Sequence, residues 1–248
     1  LVYVELAHQP YIQIYAVTNR HVLNQGFLVL RLNTRDAGVA TVPTELTEWF
    51  FHPDNDDVSA RPLDMGREHQ WLAVNMKDFV TEEMVASNTV GVGDEVFMVG
   101  RLVTREGIQQ NNPVVRFGHL SMMRDAIKRE DDGGRQESFL VECRSISGFS
   151  GSPVFVQPSP QGVAHFGRLQ IVPIVAPGAF EGVHLLGIDW CHIPLWKNVY
   201  QSDEKTPIGL RMEQNTGIAG VVPAWRLAQI LNHDTLVEQR RKEDEKIE

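Results

Sequence analysis

Gly148-Phe149-Ser150-Gly151-Ser152-Pro153-Val154-Phe155 places a serine in a glycine-flanked bend that leads directly into an apolar strand. A serine used as a nucleophile needs such a bend. The bend must expose the hydroxyl and turn backbone N–H groups towards the oxyanion formed in acyl transfer. Gly148 and Gly151 allow the backbone conformations this requires, and Pro153 suits the first residue of the strand that follows. An ordinary Gly/Ser turn between two strands has the same composition. A serine elbow of the G-x-S-x-G type does not fit, because position 152 is Ser and Pro153–Val156 continues as strand where a helix is needed.

Outward from this bend, short runs rich in Val, Ile, Phe and Tyr recur along the chain. They are Tyr11–Val17, Phe27–Leu32, Glu95–Val99, Pro113–Phe117, Phe139–Cys143, Pro153–Val156, Arg168–Val175, Val183–Trp190 and Gly217–Val222. Gly, Pro, Asn or Asp separates most of them, which predicts antiparallel sandwiches or barrels and not βαβ units. One long helix is expected, at the end, where Pro223 suits a first turn and Leu227, Ile230 and Leu231 share a face. The polar stretch Met76–Val90 reads as the connection between two strand groups. Arg124–Glu137 and Lys197–Glu213 read as charged surface loops, the former mobile. Glu238–Glu248 is nearly all charged, as in a solvated helix end or a linker to a further domain.

Composition bounds the function. With 248 residues, 42% of them hydrophobic, the chain can bury a full core as one large all-β unit or two small domains. A formal charge of −9 argues against nucleic acid as the main partner, since phosphate contacts need clustered Lys and Arg. No apolar run approaches the roughly 20 residues that span a bilayer, so no membrane partner is expected. The two cysteines, Cys143 and Cys191, lean towards a cytoplasmic or periplasmic setting, with two thiols favoured over one disulfide. Leu1–Leu6 reads as a strand entered midway, so an upstream segment is expected to be missing.

Two further motifs accompany the serine. In Tyr15–Val22 an apolar strand runs into Thr18-Asn19, either of which suits the cap of a short helical turn holding His21. In Trp49–Leu63 an acidic cluster, Asp54, Asp56 and Asp57, precedes a strand. A carboxylate there can accept the Nδ1 proton of a histidine and hold its tautomer. A surface histidine and an acidic turn are the plain alternatives. The order His21…Asp57…Ser150 is that of the chymotrypsin arrangement, with histidine and aspartate in the first strand group and serine in the second. The active site is then expected in the cleft between the two groups. Asp57 is preferred to Asp56 because Val58–Leu63 follows it as strand; a register one residue off would make Asp56 the partner.

On these residues the sequence resembles the bacterial trypsin-like peptidase domains, relatives of the HtrA and chymotrypsin serine proteases. VTNRHV (17–22) resembles the histidine motif, HPDNDDVSARPL (52–63) the aspartate motif and GFSGSPVF (148–155) the nucleophile loop. GVGDEVFMVG (91–100), NPVVRFGHLS (112–121), LLGIDW (185–190) and TGIAGVVPAWRLAQIL (216–231) resemble strands of the second barrel and the closing helix. The resemblance implies an all-β fold of two six-stranded antiparallel barrels with a C-terminal α-helix. The divisions would be residues 1–85, 91–222 and 223–248, the last being the helix and charged tail. It implies a serine endopeptidase acting on protein or peptide, without metal or other cofactor, with His21 as base, Asp57 as orienter and Ser150 as nucleophile. The backbone N–H groups of Gly148 and Ser150 would form the oxyanion hole. Arg144 and Ser145 would lie near the base of the substrate pocket, and Asp189, Trp190, Cys191 and His192 along one wall. Asp189 would either receive a cationic side chain, pair with Arg144 or join a polar network. The alternative is a latent or silent module of the same fold, regulated by a fused or associated domain. Phe149 departs from the pattern, standing where many relatives have Asp or Asn.

Overall fold

The computed structural model describes residues 1–7, 10–101, 110–129, 133–144, 148–158, 182–200 and 207–246. The expected strand Arg168–Val175 and pocket residue Ser145 lie outside these residues.

The first half contains β1 (Val2–Glu5), β2 (Ile12–Thr18), α1 (Arg20–Asn24), β3 (Val29–Asn33), β4 (Val39–Pro43), β5 (Phe50–Phe51), β6 (Ser59–Pro62) and β7 (Val74–Asn75). It forms a five-stranded sheet in the order β5-β6-β2-β1-β7, and β3 and β4 pair separately as a hairpin. A single bridge, Thr34–His69, reaches from the end of that hairpin to the segment between β6 and β7. The described hydrogen-bond ladders therefore do not run as one continuous six-stranded barrel here. Pro43 and Pro62 end β4 and β6 without an N–H to extend the ladders. Side-chain packing joins the pieces: Ala16, Leu23, Trp49 and Leu63 form a core with Leu28, Leu30 and Leu32 of the hairpin segment against it.

After a 3-10 turn at Met76–Asp78 and α2 (Glu82–Ala86) come β8 (Glu95–Arg101), β9 (Pro113–Lys128), β10 (Arg135–Glu142), β11 (Pro153–Gln157), β12 (His184–Tyr200) and β13 (Pro207–Pro223). These six strands close into a barrel, β10-β13-β12-β11-β8-β9. Strand alternation fills its interior with Val96, Met98, Leu120, Phe139, Val141, Val154, Val156 and Val221.

The chain ends in α3 (Ala224–Leu231) and α4 (Asp234–Glu245). Pro223 is the N-cap of α3, one place before the first turn expected for it. Glu238–Glu245 is helical, laced by ion pairs of Arg241 and Lys242 with Glu238. A third core binds the halves together. Val2, Tyr15, Val58 and Ala60 of the first sheet meet Leu185, Ile188 and Val222 of the barrel and Leu227, Ile230, Leu231 and Leu236 of the helices.

Two segments read as loops are mostly strand. Residues 124–128 belong to β9 and 135–137 to β10, while 197–200 and 207–213 belong to β12 and β13. Residues 197–200 and 208–213 form an arm that stands largely in solvent, where charge replaces the valines of the barrel strands. At the β9–β10 end, Ile127 packs on the shared core and Gln136 is buried, between charged neighbours that face out.

Candidate active site

The site is assembled from three turns. The first is α1. Its N-cap, Asn19, makes no capping bond with its side chain, contrary to the expectation for this position. The Asn19 amide is fully buried and donates instead to the Asp57 carbonyl (2.7 Å). The free helical N–H of His21 is satisfied by the Asp57 carboxylate: His21 N donates to Oδ1 (2.8 Å). The other oxygen, Oδ2, lies 2.5 Å from His21 Nδ1. One carboxylate thus holds both the backbone and the ring of His21.

The second turn is the acidic cluster. Asp57 is 4% exposed, and its own N–H donates to Gln136 Oε1 (2.7 Å), a side chain from β10 in the other half. Gln136 is fully buried, and its Nε2 donates to Asp56 Oδ1 (3.0 Å). Asp56 is therefore not the solvated surface carboxylate its sequence setting suggests. It is buried, with Arg226 Nε of α3 at 3.1 Å and His52 Nδ1 at 3.5 Å from Oδ2. Burial raises the Asp56 pKa above the usual carboxylate range, and Arg226, His52 and the Gln136 bond pull the other way. His52 Nε2 meets Gln229 Oε1 at 2.6 Å, so α3 grips this turn at two points.

The third turn carries the serine. Ser152 N donates to the Phe149 carbonyl (2.9 Å), and Gly151 stands third in this four-residue turn at φ 88. That is the left-handed position where a type II turn calls for glycine. A side chain at 151 would also meet Thr18 Oγ1 of β2 at 2.8 Å, because the serine turn abuts the first sheet there. Gly148 is left-handed as well, at φ 93. The Ser150 hydroxyl donates to the Trp190 carbonyl across a long 3.5 Å and not to His21.

His21, Asp57 and Ser150 line one open cleft of about 430 Å³, together with Gly148, Asp189, Trp190, Cys191 and His192. Asp189 is 1% exposed, at the cleft's inner surface. Trp190 is turned inward, its Nε1 donating to Ser138 Oγ (2.9 Å). His192 Nε2 pairs with Glu213 Oε1 at 2.6 Å on the hairpin arm. Arg144, expected at the pocket base, is not among the cleft residues. It is exposed and lines a second groove of about 520 Å³ with Glu95, Arg116 and Phe117. Its left-handed φ of 44 turns the chain at the end of β10. Cys143 and Cys191 are not joined in a disulfide, and burial pushes the Cys143 thiol up to about 11, with the Asp189 charge adding to it.

Gln136 and the cleft-lining arm residues Ile127, Arg129, Pro194, Trp196 and Glu213 carry no motif that marks them in the sequence. The sequence signal nearest to them was the apolar content of Cys191–Trp196 immediately after LLGIDW, a strand running on past the barrel.

This is the fold of the trypsin-like serine proteases. The chain is similar to the crystal structure of the MamO protease domain from Magnetospirillum magneticum (apo form), at 15% identity and a TM-score of 0.51 over 90% of this chain and 89% of that one. It also aligns with the crystal structure of Deg5 at 13% identity and a TM-score of 0.41, covering 73% of each chain. At such identities the likeness speaks to the fold alone. No protein-family model and no curated protein matches the sequence.

Proposed function

We propose that the chain is a serine endopeptidase that cleaves polypeptides through an acyl-enzyme on Ser150. The observation that carries this reading is the double grip of the Asp57 carboxylate on His21, in a cleft that Ser150 shares. With Nδ1 committed to Asp57, Nε2 of the neutral ring is left as the base facing the cleft. Rotation of the Ser150 hydroxyl from the Trp190 carbonyl towards Nε2 starts the reaction. His21 takes the hydroxyl proton as Oγ bonds to the scissile carbonyl carbon. The N–H groups of Gly148 and Ser150 receive the oxyanion. The imidazolium then gives its proton to the leaving amine as the C–N bond breaks, and water, deprotonated by His21, releases the acid.

The long Ser150–Trp190 contact favours a second reading of the same fold, a module held latent until a partner or fused domain turns the serine towards His21. Labelling with a fluorophosphonate separates the two. The peptidase reading expects covalent labelling of the wild type and none of Ser150→Ala at unchanged thermal stability. Equal labelling of both sinks the nucleophile assignment; no labelling of either sinks the constitutive peptidase and leaves the latent module.

A further inference from the structure

Phe149, immediately before Ser150, is fully buried although it lies in a polar surface turn. Its slot has a floor and a lid. The floor is Gly100 of β8, where a Cβ would fall 2.6 Å from the Phe149 ring and 2.7 Å from Ser152 Oγ, so the ring occupies space that only glycine leaves open. The lid is Arg116 of β9, whose guanidinium carbon stands 4.6 Å from the ring centroid. The same guanidinium donates through Nη1 to the Arg144 carbonyl (2.7 Å). Arg144 has a left-handed φ of 44, a strained state for a residue with a side chain, which persists where its surroundings hold it. Arg116 therefore touches the chain on both sides of Gly148, at residues 144 and 149.

We propose that Arg116 is a positioning residue for the nucleophile turn. It acts through Phe149 and the Arg144 carbonyl to hold the Gly148 and Ser150 N–H groups where the oxyanion forms. The inference rests on the reading of Ser150 as nucleophile. A planar guanidinium can cover an aromatic face while donating in its own plane, which the single nitrogen of an ammonium reproduces only in part. At the position where many relatives carry Asp or Asn before the serine, this chain has an aromatic ring, and Arg116 anchors it.

Arg116 touches no part of the cleft, so its loss should loosen transition-state binding and leave substrate binding alone. Steady-state hydrolysis of a peptide ester by Arg116→Met should show kcat lowered about 10- to 100-fold, with KM within about twofold, somewhat less than deleting an oxyanion donor outright. Binding of a peptide boronate, which forms a tetrahedral adduct on Ser150, should weaken in parallel. Arg116→Lys keeps the charge and the fold and should recover only part of kcat. Phe149→Leu combined with Arg116→Met should cost less than the product of the two single effects, because both remove one contact. Wild-type kcat in Arg116→Lys and Arg116→Met, or a lowered unfolding temperature without a change in kcat, overturns the clasp while leaving the peptidase reading intact. If Arg116→Met does not fold, Arg116→Lys decides alone: full wild-type kcat refutes the role. A wild type that neither turns over the ester nor accepts fluorophosphonate removes the nucleophile reading and this inference with it.

Discussion

At the scale of single residues, the two neighbouring carboxylates have different work, which their bonds separate. Asp57 Oδ1 faces the His21 backbone N–H, which can only donate, and Oδ2 faces the ring. In Asp57→Asn the amide oxygen is therefore forced to the backbone side and the NH₂ to Nδ1. The ring must then accept at Nδ1 and carry its proton on Nε2, the tautomer that cannot take the serine proton. Turnover should fall by about four orders of magnitude, as the same change does in a Ser-His-Asp triad, with little loss of stability. Asp56→Asn keeps an acceptor for Gln136 Nε2 and removes a charge whose burial is costly, though Arg226 loses one of its three acidic neighbours. It should cost about 1–2 kcal/mol of stability and less than tenfold in turnover. Assays of both variants near pH 8, paired with thermal unfolding, check this, and an inactive Asp56→Asn beside a normal Asp57→Asn would refute it. The sequence made Asp57 legible through the strand that follows it. It could not show Asp56 as buried, because the groups that cover it come from positions 136 and 226, far along the chain.

At the scale of elements, the hairpin arms are where sequence patterns spoke least. The barrel strands announce themselves by apolar alternation: Val154 and Val156 of β11 point into the core, and the run that holds them reads as a strand at sight. Beyond Cys191 the β12–β13 hairpin leaves the barrel, and alternation loses its meaning because water lies on both faces. Register now decides what the arm presents. Pro194, Trp196 and Glu213 border the cleft, and Trp196 pairs directly with Glu213 across the hairpin. Trp196 is about half exposed and lines the cleft that Ser150 also lines, an apolar surface a polypeptide could cover. A bound polypeptide would cover it equally in the ground state and the transition state. Trp196→Ala should accordingly raise KM about 5- to 30-fold for an extended peptide, the equivalent of about 1–2 kcal/mol of apolar burial, and change kcat less than about twofold. A minimal ester that cannot reach the arm should be hydrolysed as before. Loss of kcat with KM unchanged would mean that the arm shapes the serine turn and does not hold substrate.

At the scale of the whole molecule, the candidate site exists only because two halves are held in register. His21 and Asp57 come from one half and Ser150 from the other, so a small sliding of one sheet against the other would separate them. The shared core of Tyr15, Leu185, Ile188, Leu227 and Ile230 supplies the adhesion, but apolar contact has no direction. Direction comes from a few polar bonds across the seam, and Gln136 makes two of them, accepting from Asp57 N–H and donating to Asp56 Oδ1. Its neutrality is the point. In Gln136→Glu one oxygen can still accept from Asp57 N–H, but the other meets the Asp56 carboxylate, already pushed up by burial. Two buried carboxylates in contact must share a proton in the folded state. That proton is held to a higher pH in the folded protein than in the unfolded chain, where both groups titrate near their ordinary values. The folded state then binds more protons than the unfolded state across the range between, so stability must fall as pH rises through it and return as pH is lowered. Gln136→Leu, which leaves the Asp57 N–H and the Asp56 oxygen unpaired without adding a charge, should cost about 2–4 kcal/mol with no new pH dependence near neutrality. Denaturant midpoints measured from pH 5 to 9 separate the two variants: a steep decline for Gln136→Glu against a profile parallel to wild type for Gln136→Leu. Parallel profiles for both would mean that the seam opens enough to solvate the extra carboxylate, so that Gln136 does not hold the two halves in a dry register.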